Sequence, residues 1–188
     1  MAAESSEKKR GTGRELLEWG VSILLAIVLA VGVHTWVGQL VLVDGPSMEP
    51  TLFTGERVLV GKLEYWFQKP KRGDIVLVRY PGSRFDFIKR VVAVGGETVA
   101  VANGLTLING KPLDEPYVQH PLFADLAPVT VPEGNVFVMG DNRANSTDSR
   151  EQAIGPIPLE NVVGRAYWLV WPLAKVEKLT DYSGKLEQ

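Results

Sequence analysis

The sequence predicts a mostly β fold, in which a single N-terminal transmembrane helix precedes an all-β domain. Three observations support this prediction. Residues 19–43 contain no Asp, Glu, Lys or Arg. After Asp44 the chain consists of short Val- and Ile-rich runs separated by Gly, Pro and Asn, which is typical of strands joined by turns. No amphipathic helical stretch of useful length follows Asp44, so we expect no parallel βαβ architecture.

The uncharged N-terminal run is long enough to cross a bilayer, because the apolar core of a membrane requires roughly 20 residues in a helix. Trp19 and Trp36 lie near the ends of the run, where indole rings favour the headgroup region. Four basic residues at positions 8–14 precede it, which predicts that the N-terminus stays in the cytoplasm. The expected segments are a short cytoplasmic N-terminus at 1–18, a transmembrane anchor at 19–37 and an extracytoplasmic β-rich domain at 38–188.

Two other structures would also give an apolar run near the N-terminus. A cleavable signal peptide has a basic start as well, but its apolar core is typically about 7 to 15 residues long. A buried core helix is the second alternative, although a helix that is apolar on every side suits lipid better. The length of the run therefore favours an anchor.

The domain after the anchor contains seven segments rich in β-branched residues, and we predict an inserted β-hairpin region within it. Asn103-Gly104 separates two of the segments and is a strong signal for a two-residue hairpin turn. Asn109-Gly110 marks another turn, and the proline-rich segment Pro112–Pro132 is expected to be an irregular loop. The predicted strands are Arg57–Gly61, Asp74–Tyr80, Phe87–Val94, Thr98–Ala102, Leu105–Ile108, Asn135–Met139 and Gly164–Val170.

Composition excludes several classes of function. The net charge of −2 and the isoelectric point of about 5.8 do not favour nucleic acid as a partner. The chain has no cysteine, which removes disulfides, thiolate metal sites and a cysteine nucleophile. The two histidines, His34 and His120, are too few for a zinc site built on several histidines. We therefore expect no metal and no cofactor, and the composition gives no prediction of oligomeric state.

Two segments contain candidate reacting groups. Ser47 lies between Pro46 and Pro50 on a constrained, non-helical path that suits a fixed nucleophile, although such a cluster is also typical of a plain turn. Lys89 lies on a predicted strand and shares a face with Phe87 and Val91. Apolar neighbours would lower the pKa of its amine. The alternative is that the lysine extends its amine from a strand edge into water.

Two further segments are polar. Residues 140–150 follow an apolar strand abruptly and contain two acids, two arginines and two asparagines. Such a loop is either solvated or forms a hydrogen-bonded ion-pair scaffold behind an active site. Residues 71–76 have the pattern of a turn that leads into a strand, which favours a structural role.

Taken together, the four segments resemble the sequence boxes of bacterial type I signal peptidases. Their order and spacing match, and the resemblance runs from the anchor to about Trp171. One box alone is weak evidence, whereas four in order after a single span are highly specific. The matching segments are Gly45–Leu52 (nucleophile box), Arg72–Val76 (the strand box that follows it), Phe87–Val91 (general-base box) and Gly140–Arg150 (closing polar box).

The resemblance implies a membrane-bound serine endopeptidase that removes signal peptides from exported preproteins after small residues of the A-x-A type. Ser47 would be the nucleophile, Lys89 the general base, and Ser146 would hydrogen-bond the lysine amine and orient it. The preprotein would bind at the membrane surface as an added strand, with the lipid bilayer as the other partner. By the same resemblance, Asp141, Arg143, Asp148 and Arg150 would brace the site, and Val41, Val43 and Ile88 would line shallow apolar pockets.

Two positions depart from the family pattern. Gly45 stands where many members have a serine that helps to stabilise the oxyanion, so the oxyanion would depend on the Ser47 backbone N–H and another donor. Ala144 replaces an acid that is common in the last box. The rival interpretations are a catalytically silent, membrane-anchored scaffold and a self-cleaving relative with the same Ser/Lys pair. A Ser/His triad that uses His120 is a further alternative, although the chain has no Gly-x-Ser-x-Gly segment.

Overall fold

The structure is a computed structural model of the 188-residue chain, and it describes residues 7–32, 38–119 and 124–179. The chain divides into two compact units, Met1–Val37 and Gly38–Gln188. The first unit contains helix α1 (Glu7–Gly32), and the second contains the β-rich domain.

Helix α1 covers only part of the predicted anchor. Among the described residues, no helix is long and apolar enough to cross a membrane. The helix begins among the charged residues that precede Trp19 and ends at Gly32, so its uncharged part is shorter than the roughly 20 residues that a span requires. Residues 33–37, which complete the predicted anchor and include His34, lie outside the described ranges.

The second unit is mostly β, as predicted, and every strand pair among the described residues is antiparallel. The unit also contains helix α2 (Glu64–Phe67), which is one turn long. In chain order the strands are β1 (Gly38–Leu42), β2 (Arg57–Gly61), β3 (Ile75–Arg79), β4 (Asp86–Val94), β5 (Thr98–Ala102), β6 (Leu105–Ile108), β7 (Lys111–Pro112), β8 (Leu126–Thr130), β9 (Asn135–Met139), β10 (Ile157–Pro158), β11 (Val162–Trp171) and β12 (Glu177–Lys178).

The strands form two sheets. The main sheet has the order β1-β2-β11-β3-β4-β9-β10, with β12 paired to β11. The second sheet has the order β7-β6-β5-β8 and is inserted between β4 and β9, which agrees with the predicted hairpin region. Asn103 and Gly104 both have positive φ, at 52° and 78°, as the turn between β5 and β6 requires.

Two sequence-based expectations need correction. The segment Pro112–Pro132 is not irregular throughout, because β8 pairs with β5. Pro128 concealed this strand, yet proline is tolerated there because β8 is at the edge of its sheet. Strand β1 was not predicted, because the apolar run of the anchor continues through it to Val43 without a break in composition.

The core of the β domain fixes the chain on both sides of Ser47. One apolar cluster contains Val43, Met48 and Leu52, of which Leu52 is completely buried. The same cluster contains Ile88, the residue before Lys89. The main-sheet core therefore anchors the chain next to both candidate reacting residues.

Candidate active site

Ser47 and Lys89, which are 42 positions apart in the chain, meet at the surface of the main sheet. Lys89 Nζ donates a hydrogen bond to Ser47 Oγ at 2.7 Å. The lysine lies within β4, and the serine begins the turn that follows β1. The structure thus brings together the two residues that the sequence predicts as nucleophile and base.

The turn that carries Ser47 is held by its own backbone and by apolar side chains. Glu49 N donates to Pro46 O at 3.1 Å, and Leu52 N donates to Met48 O at 2.9 Å. Gly45 enters the turn with φ of +94°, a conformation that favours glycine. It brings no side-chain donor to the site, so the structure supplies no hydroxyl at this position for an oxyanion.

The environment of Lys89 disfavours its charged form. The residue is 3% exposed, and burial lowers the pKa of its amine to about 8, although the carboxylates of Asp148 and Asp141 act in the opposite direction. At that pKa about a tenth of the molecules carry a neutral amine at pH 7, whereas a lysine at its usual pKa is almost entirely protonated. A neutral amine is what a general base requires.

Asp148 organises the polar loop that faces Lys89. It is fully buried, and it accepts hydrogen bonds from Ser146 Oγ at 2.6 Å and from the Gly140 N–H at 3.0 Å. Arg150 binds the same carboxylate through Nε at 2.8 Å and Nη2 at 2.9 Å. Burial raises the pKa of Asp148, but the Arg150 and Ser146 hydrogen bonds outweigh burial and hold the pKa below its usual value.

The orientation of Ser146 differs from the prediction. We expected its hydroxyl to hydrogen-bond the Lys89 amine, but the hydroxyl donates to Asp148 instead. A carboxylate that is only two residues away is a stronger acceptor than an amine that is itself a donor. Ser146 therefore hydrogen-bonds the carboxylate that raises the pKa of Lys89.

A buried ion pair lies beside the candidate pair and was missed at the level of sequence. Arg90, the residue after Lys89, binds both oxygens of Asp141, at 2.8 Å and 2.6 Å, and donates to Gly73 O at 2.9 Å. Both side chains of the pair are at most 1% exposed. The available signal was the arginine itself, since it alternates with apolar residues on a strand and a buried arginine requires an acidic partner.

The segment after β9 also holds the nucleophile turn. Asn142 N donates to Ser47 O at 3.1 Å, and Thr51 Oγ1 donates to Asp141 Oδ2 at 2.5 Å. Gly140 allows this close approach, because a Cβ there would collide with Ser146 Oγ and Ser47 O. Thr51 is a second residue that the sequence analysis did not single out.

Arg143 braces the same segment from its other side. Its guanidinium donates to Thr106 Oγ1 at 2.7 Å and forms an ion pair with Glu115, and both partners of that pair are less than a tenth exposed. Burial lowers the pKa of Arg143, but Glu115 outweighs burial and raises it. All four residues that were predicted to brace the site, Asp141, Arg143, Asp148 and Arg150, thus form buried or partly buried ion pairs.

A small cavity opens beside the candidate pair. Its volume is about 80 Å³, and Val41, Val43 and Ile88 line it together with Ser47 and Lys89. Pockets for drug-sized ligands are larger, at about 300–1,000 Å³. Two larger cavities, of about 500 and 440 Å³, are lined by other residues, so we assign the candidate site by its chemistry and not by cavity size.

No group of three or more His, Asp or Glu side chains among the described residues is arranged to hold a metal ion. His120, which a Ser/His triad would use, lies outside the described residues, as does His34.

Known proteins that are similar to this chain are signal peptidases. The chain matches the family described as signal peptidase, peptidase S26, over residues 16–171. It is 37% identical over 185 residues to a probable signal peptidase I-2 from Synechocystis sp., which covers 95% of this chain and 84% of the relative. It is also 37% identical to signal peptidase I T from Bacillus subtilis, with 93% and 94% covered.

The chain therefore belongs to the signal peptidase family, peptidase S26. Its similarity to enzymes named signal peptidase I confirms the predicted class, a serine endopeptidase of the kind that removes signal peptides. A crystal structure of a signal peptidase I from Enterococcus faecalis is similar with a TM-score of 0.47 and 32% identity, over 52% of this chain and 97% of that chain.

Proposed function

We propose that this chain removes signal peptides from exported preproteins with Ser47 as nucleophile and Lys89 as general base. The observation that carries the proposal is the 2.7 Å hydrogen bond between Lys89 Nζ and Ser47 Oγ at the edge of a small apolar cavity. A serine hydroxyl is a weak nucleophile by itself and requires an adjacent base. A buried lysine of lowered pKa is such a base.

The proposed reaction begins when the neutral Lys89 amine takes the proton of the Ser47 hydroxyl. Ser47 Oγ attacks the carbonyl carbon of the scissile peptide, and the Ser47 backbone N–H donates to the oxyanion that forms. The lysine then gives its proton to the departing amine, which leaves an acyl-enzyme. A water molecule, deprotonated by the same lysine, attacks the ester and releases the signal peptide.

The ion pairs around the site support this chemistry by fixing geometry. The Asp148 carboxylate raises the pKa of the Lys89 amine, and hydrogen bonds from Ser146 and Arg150 hold that carboxylate in place. Asp141 and Arg143 hold the segment that contacts the Ser47 turn. We assign these residues to positioning and not to proton transfer.

The shape of the site supports specificity for small side chains. The cavity of about 80 Å³ beside Ser47 has room for few atoms, and its apolar lining includes Val43 and Ile88. Strand β1, which leads directly into the site, is at the end of the main sheet and pairs only with β2 among the described strands. A preprotein segment that adds to this edge would be held by backbone hydrogen bonds and would present alternate side chains to the cavity.

Exposed apolar surface supports a location at a lipid bilayer. Leu40, Leu59 and Trp168 are register partners across β1, β2 and β11, and they are 60%, 38% and 43% exposed. Helix α1 also exposes large apolar side chains. We propose that residues 19–37 anchor the chain in the membrane, with the basic N-terminus in the cytoplasm and the domain after Val37 outside.

Topology can be tested on spheroplasts of cells that produce the full-length chain. A protease added outside should digest the β domain, because it lies beyond the membrane in this proposal. A cytoplasmic marker protein should stay intact in the same sample. Complete protection of the β domain would contradict the extracytoplasmic location.

Cleavage of a preprotein by the full-length chain in detergent tests the reaction. Ser47→Ala and Lys89→Ala should reduce the rate by at least about 10²-fold, in line with the loss of a nucleophile or a base. Ser83→Ala and Lys111→Ala, at exposed positions or in a surface turn, are the matched controls and should cleave at the wild-type rate. A substrate with Phe in place of Ala before the scissile bond should not be cleaved.

The cleavage assay also distinguishes the proposed peptidase from a silent scaffold and from a self-cleaving relative. Wild type that leaves the preprotein intact would indicate a silent scaffold, and cleavage of the enzyme alone would indicate a self-cleaving relative. Equal cleavage of the Ala and Phe substrates would show that the cavity of Val41, Val43 and Ile88 does not bind the residue before the scissile bond.

A further inference from the structure

A segment outside the four sequence boxes packs against Arg90, the residue that follows Lys89. It comprises residues 113–118 and follows β7 in the inserted sheet. Leu113 N donates to Thr106 O at 2.8 Å, which ties the segment to β6. Its two polar side chains that point inward are Glu115, with a side chain 9% exposed, and Tyr117, which is 4% exposed.

Tyr117 connects two buried ion pairs. Its ring centroid is 4.1 Å from the guanidinium carbon of Arg90, which is the partner of Asp141. Its hydroxyl donates to Glu115 Oε1 at 2.9 Å, and Glu115 is the partner of Arg143. A guanidinium is attracted to the face of an aromatic ring. The Tyr117 ring therefore packs on one face of the Arg90 guanidinium, while Asp141 accepts hydrogen bonds from the N–H groups at its edge.

The contacts continue from Arg90 to both reacting residues. Arg90 is bonded in the chain to Lys89, so fixing its side chain fixes the strand that carries the base. Asp141 binds Arg90 and also accepts from Thr51 Oγ1 at 2.5 Å. Thr51 lies in the turn that begins at Ser47. A continuous set of contacts therefore links the inserted sheet to the nucleophile and the base.

We propose that Tyr117 is a positioning residue, whose ring holds Arg90 on Asp141 and thereby sets the separation of Ser47 Oγ and Lys89 Nζ. The inference rests on the proposed function of that pair. In this proposal Tyr117 acts through Arg90, which its ring contacts, and through Asp141, which Arg90 binds. Small errors in the placement of reacting groups reduce rates strongly, which makes the effect measurable.

Loss of the Tyr117 ring should also change the pH dependence of the reaction. The Asp141 carboxylate raises the pKa of Lys89 against the effect of burial, and Arg90 offsets that carboxylate. An Arg90 that is less well held leaves more of the Asp141 charge acting on the lysine, so the pKa of Lys89 should rise. The acid limb of the kcat profile, the range of low pH in which kcat rises with pH, would then move to higher pH. The groups that face the Lys89 amine are Ser47, Asp141, Asp148 and Arg150.

The test is the Tyr117→Leu variant of the full-length chain, assayed on a preprotein with an Ala-x-Ala cleavage site. We expect kcat to fall about 10- to 100-fold with KM unchanged, because the substrate cavity contains no part of segment 113–118. The acid limb of the kcat profile should move to higher pH. Tyr117→Phe keeps the ring over Arg90 and should stay within about twofold of wild type.

Phe137→Leu is the matched control, because it truncates a fully buried aromatic ring of the β domain that belongs to an apolar cluster. It should leave kcat and the pH profile unchanged. Unchanged kcat and acid limb in folded Tyr117→Leu, or the same changes in Phe137→Leu, would overturn the inference. If Tyr117→Leu does not fold, Thr51→Val is tested instead, because it removes the hydrogen bond from Thr51 to Asp141. It should lower kcat and move the acid limb in the same way, and Thr51→Ser should restore both. A Thr51→Val enzyme that behaves like wild type would overturn the inference.

The same experiment distinguishes failure of this inference from failure of the proposed function. Ser47→Ala and Lys89→Arg are included as reference variants. If both retain activity, the proposed pair is wrong. If both are inactive while Tyr117→Leu behaves like wild type, the pair stands and the positioning role of Tyr117 is wrong.

Discussion

Lys89 and Arg90 are consecutive on β4 and are almost equally buried, with 3% and 0% exposed, but their surroundings differ. Arg90 binds both oxygens of a carboxylate and a backbone carbonyl. Lys89 has a neutral hydroxyl as its hydrogen-bond partner, and burial lowers its pKa to about 8. Arginine stays protonated in proteins, whereas a buried lysine without a bound carboxylate can lose its proton, so only Lys89 of the two is suited to act as a base.

The two carboxylates that raise the pKa of Lys89 are each bound by an arginine. Asp148 accepts from Arg150, and Asp141 accepts from Arg90. A carboxylate whose lone pairs are engaged by a guanidinium stabilises a second cation less than a free one would. Burial is therefore the main cause of the lowered pKa of Lys89, and the paired arginines weaken the opposing effect of the two acids.

The strongest test of this comparison is Lys89→Arg, which gives β4 two arginines in succession. Arginine does not deprotonate in the working range of the enzyme, so the variant should lose about 10²- to 10⁴-fold in rate although the positive charge remains. Cleavage of a preprotein by purified full-length chain is the measurement.

Wild-type kcat should rise about tenfold per pH unit until the pH approaches the Lys89 pKa near 8.

Lys111→Arg is the control for this substitution, because Lys111 is exposed on β7. It should have wild-type activity at every pH. Efficient cleavage by Lys89→Arg would show that the lysine amine is not the base, and a flat wild-type profile between pH 6 and 8 would show the same.

Methionine substitutions at the two positions should change the free energy of unfolding with opposite signs. Arg90→Met leaves Asp141 buried without its partner and should destabilise the fold by about 3–5 kcal/mol. Lys89→Met removes a buried amine that is less readily protonated in the fold than in the unfolded chain, and should stabilise the fold by about 3 kcal/mol at pH 7. Denaturant unfolding of the two variants beside wild type measures both.

The pH dependence of the Lys89→Met effect follows from the pKa values. Folding lowers the pKa of Lys89 from its usual value near 10.4 to about 8, so its unfavourable contribution is fully present below pH 8 and disappears as the pH rises through about 10.4. The stability difference between Lys89→Met and wild type should therefore vanish at high pH. A destabilised Lys89→Met at pH 7 would show that the amine is well solvated or well paired in the fold.

Much of the fold was predictable because its signals are local. β2, β5, β6 and β9 have the predicted bounds, since each is a β-branched run closed by turn residues. The order of the four boxes also identified Ser47 and Lys89 as a pair, which the structure places in contact. A transmembrane span was not found among the described residues, and the predicted anchor continues into residues 33–37, which are not described.

The remainder depends on contacts between distant segments. Nothing near Glu115 or Tyr117 in the sequence indicates a role at the site, because their partners Arg143 and Arg90 lie 28 and 27 positions away. The sequence analysis assigned the Ser146 hydroxyl to the Lys89 amine, and only the folded loop shows that Asp148 is its acceptor. Local sequence patterns contain no information on either choice.

The chain enters and leaves the inserted sheet at two neighbouring positions. Thr98 and Thr130 are register partners at the start of β5 and the end of β8, and their hydroxyl oxygens are 3.3 Å apart. A chain that leaves and returns at one point can accommodate extra residues at a distant hairpin such as Asn103-Gly104, since the entropy of closing a longer loop grows slowly. Insertions or engineered tags at that turn are therefore compatible with an undisturbed main sheet, provided that residues 113–118 keep their place.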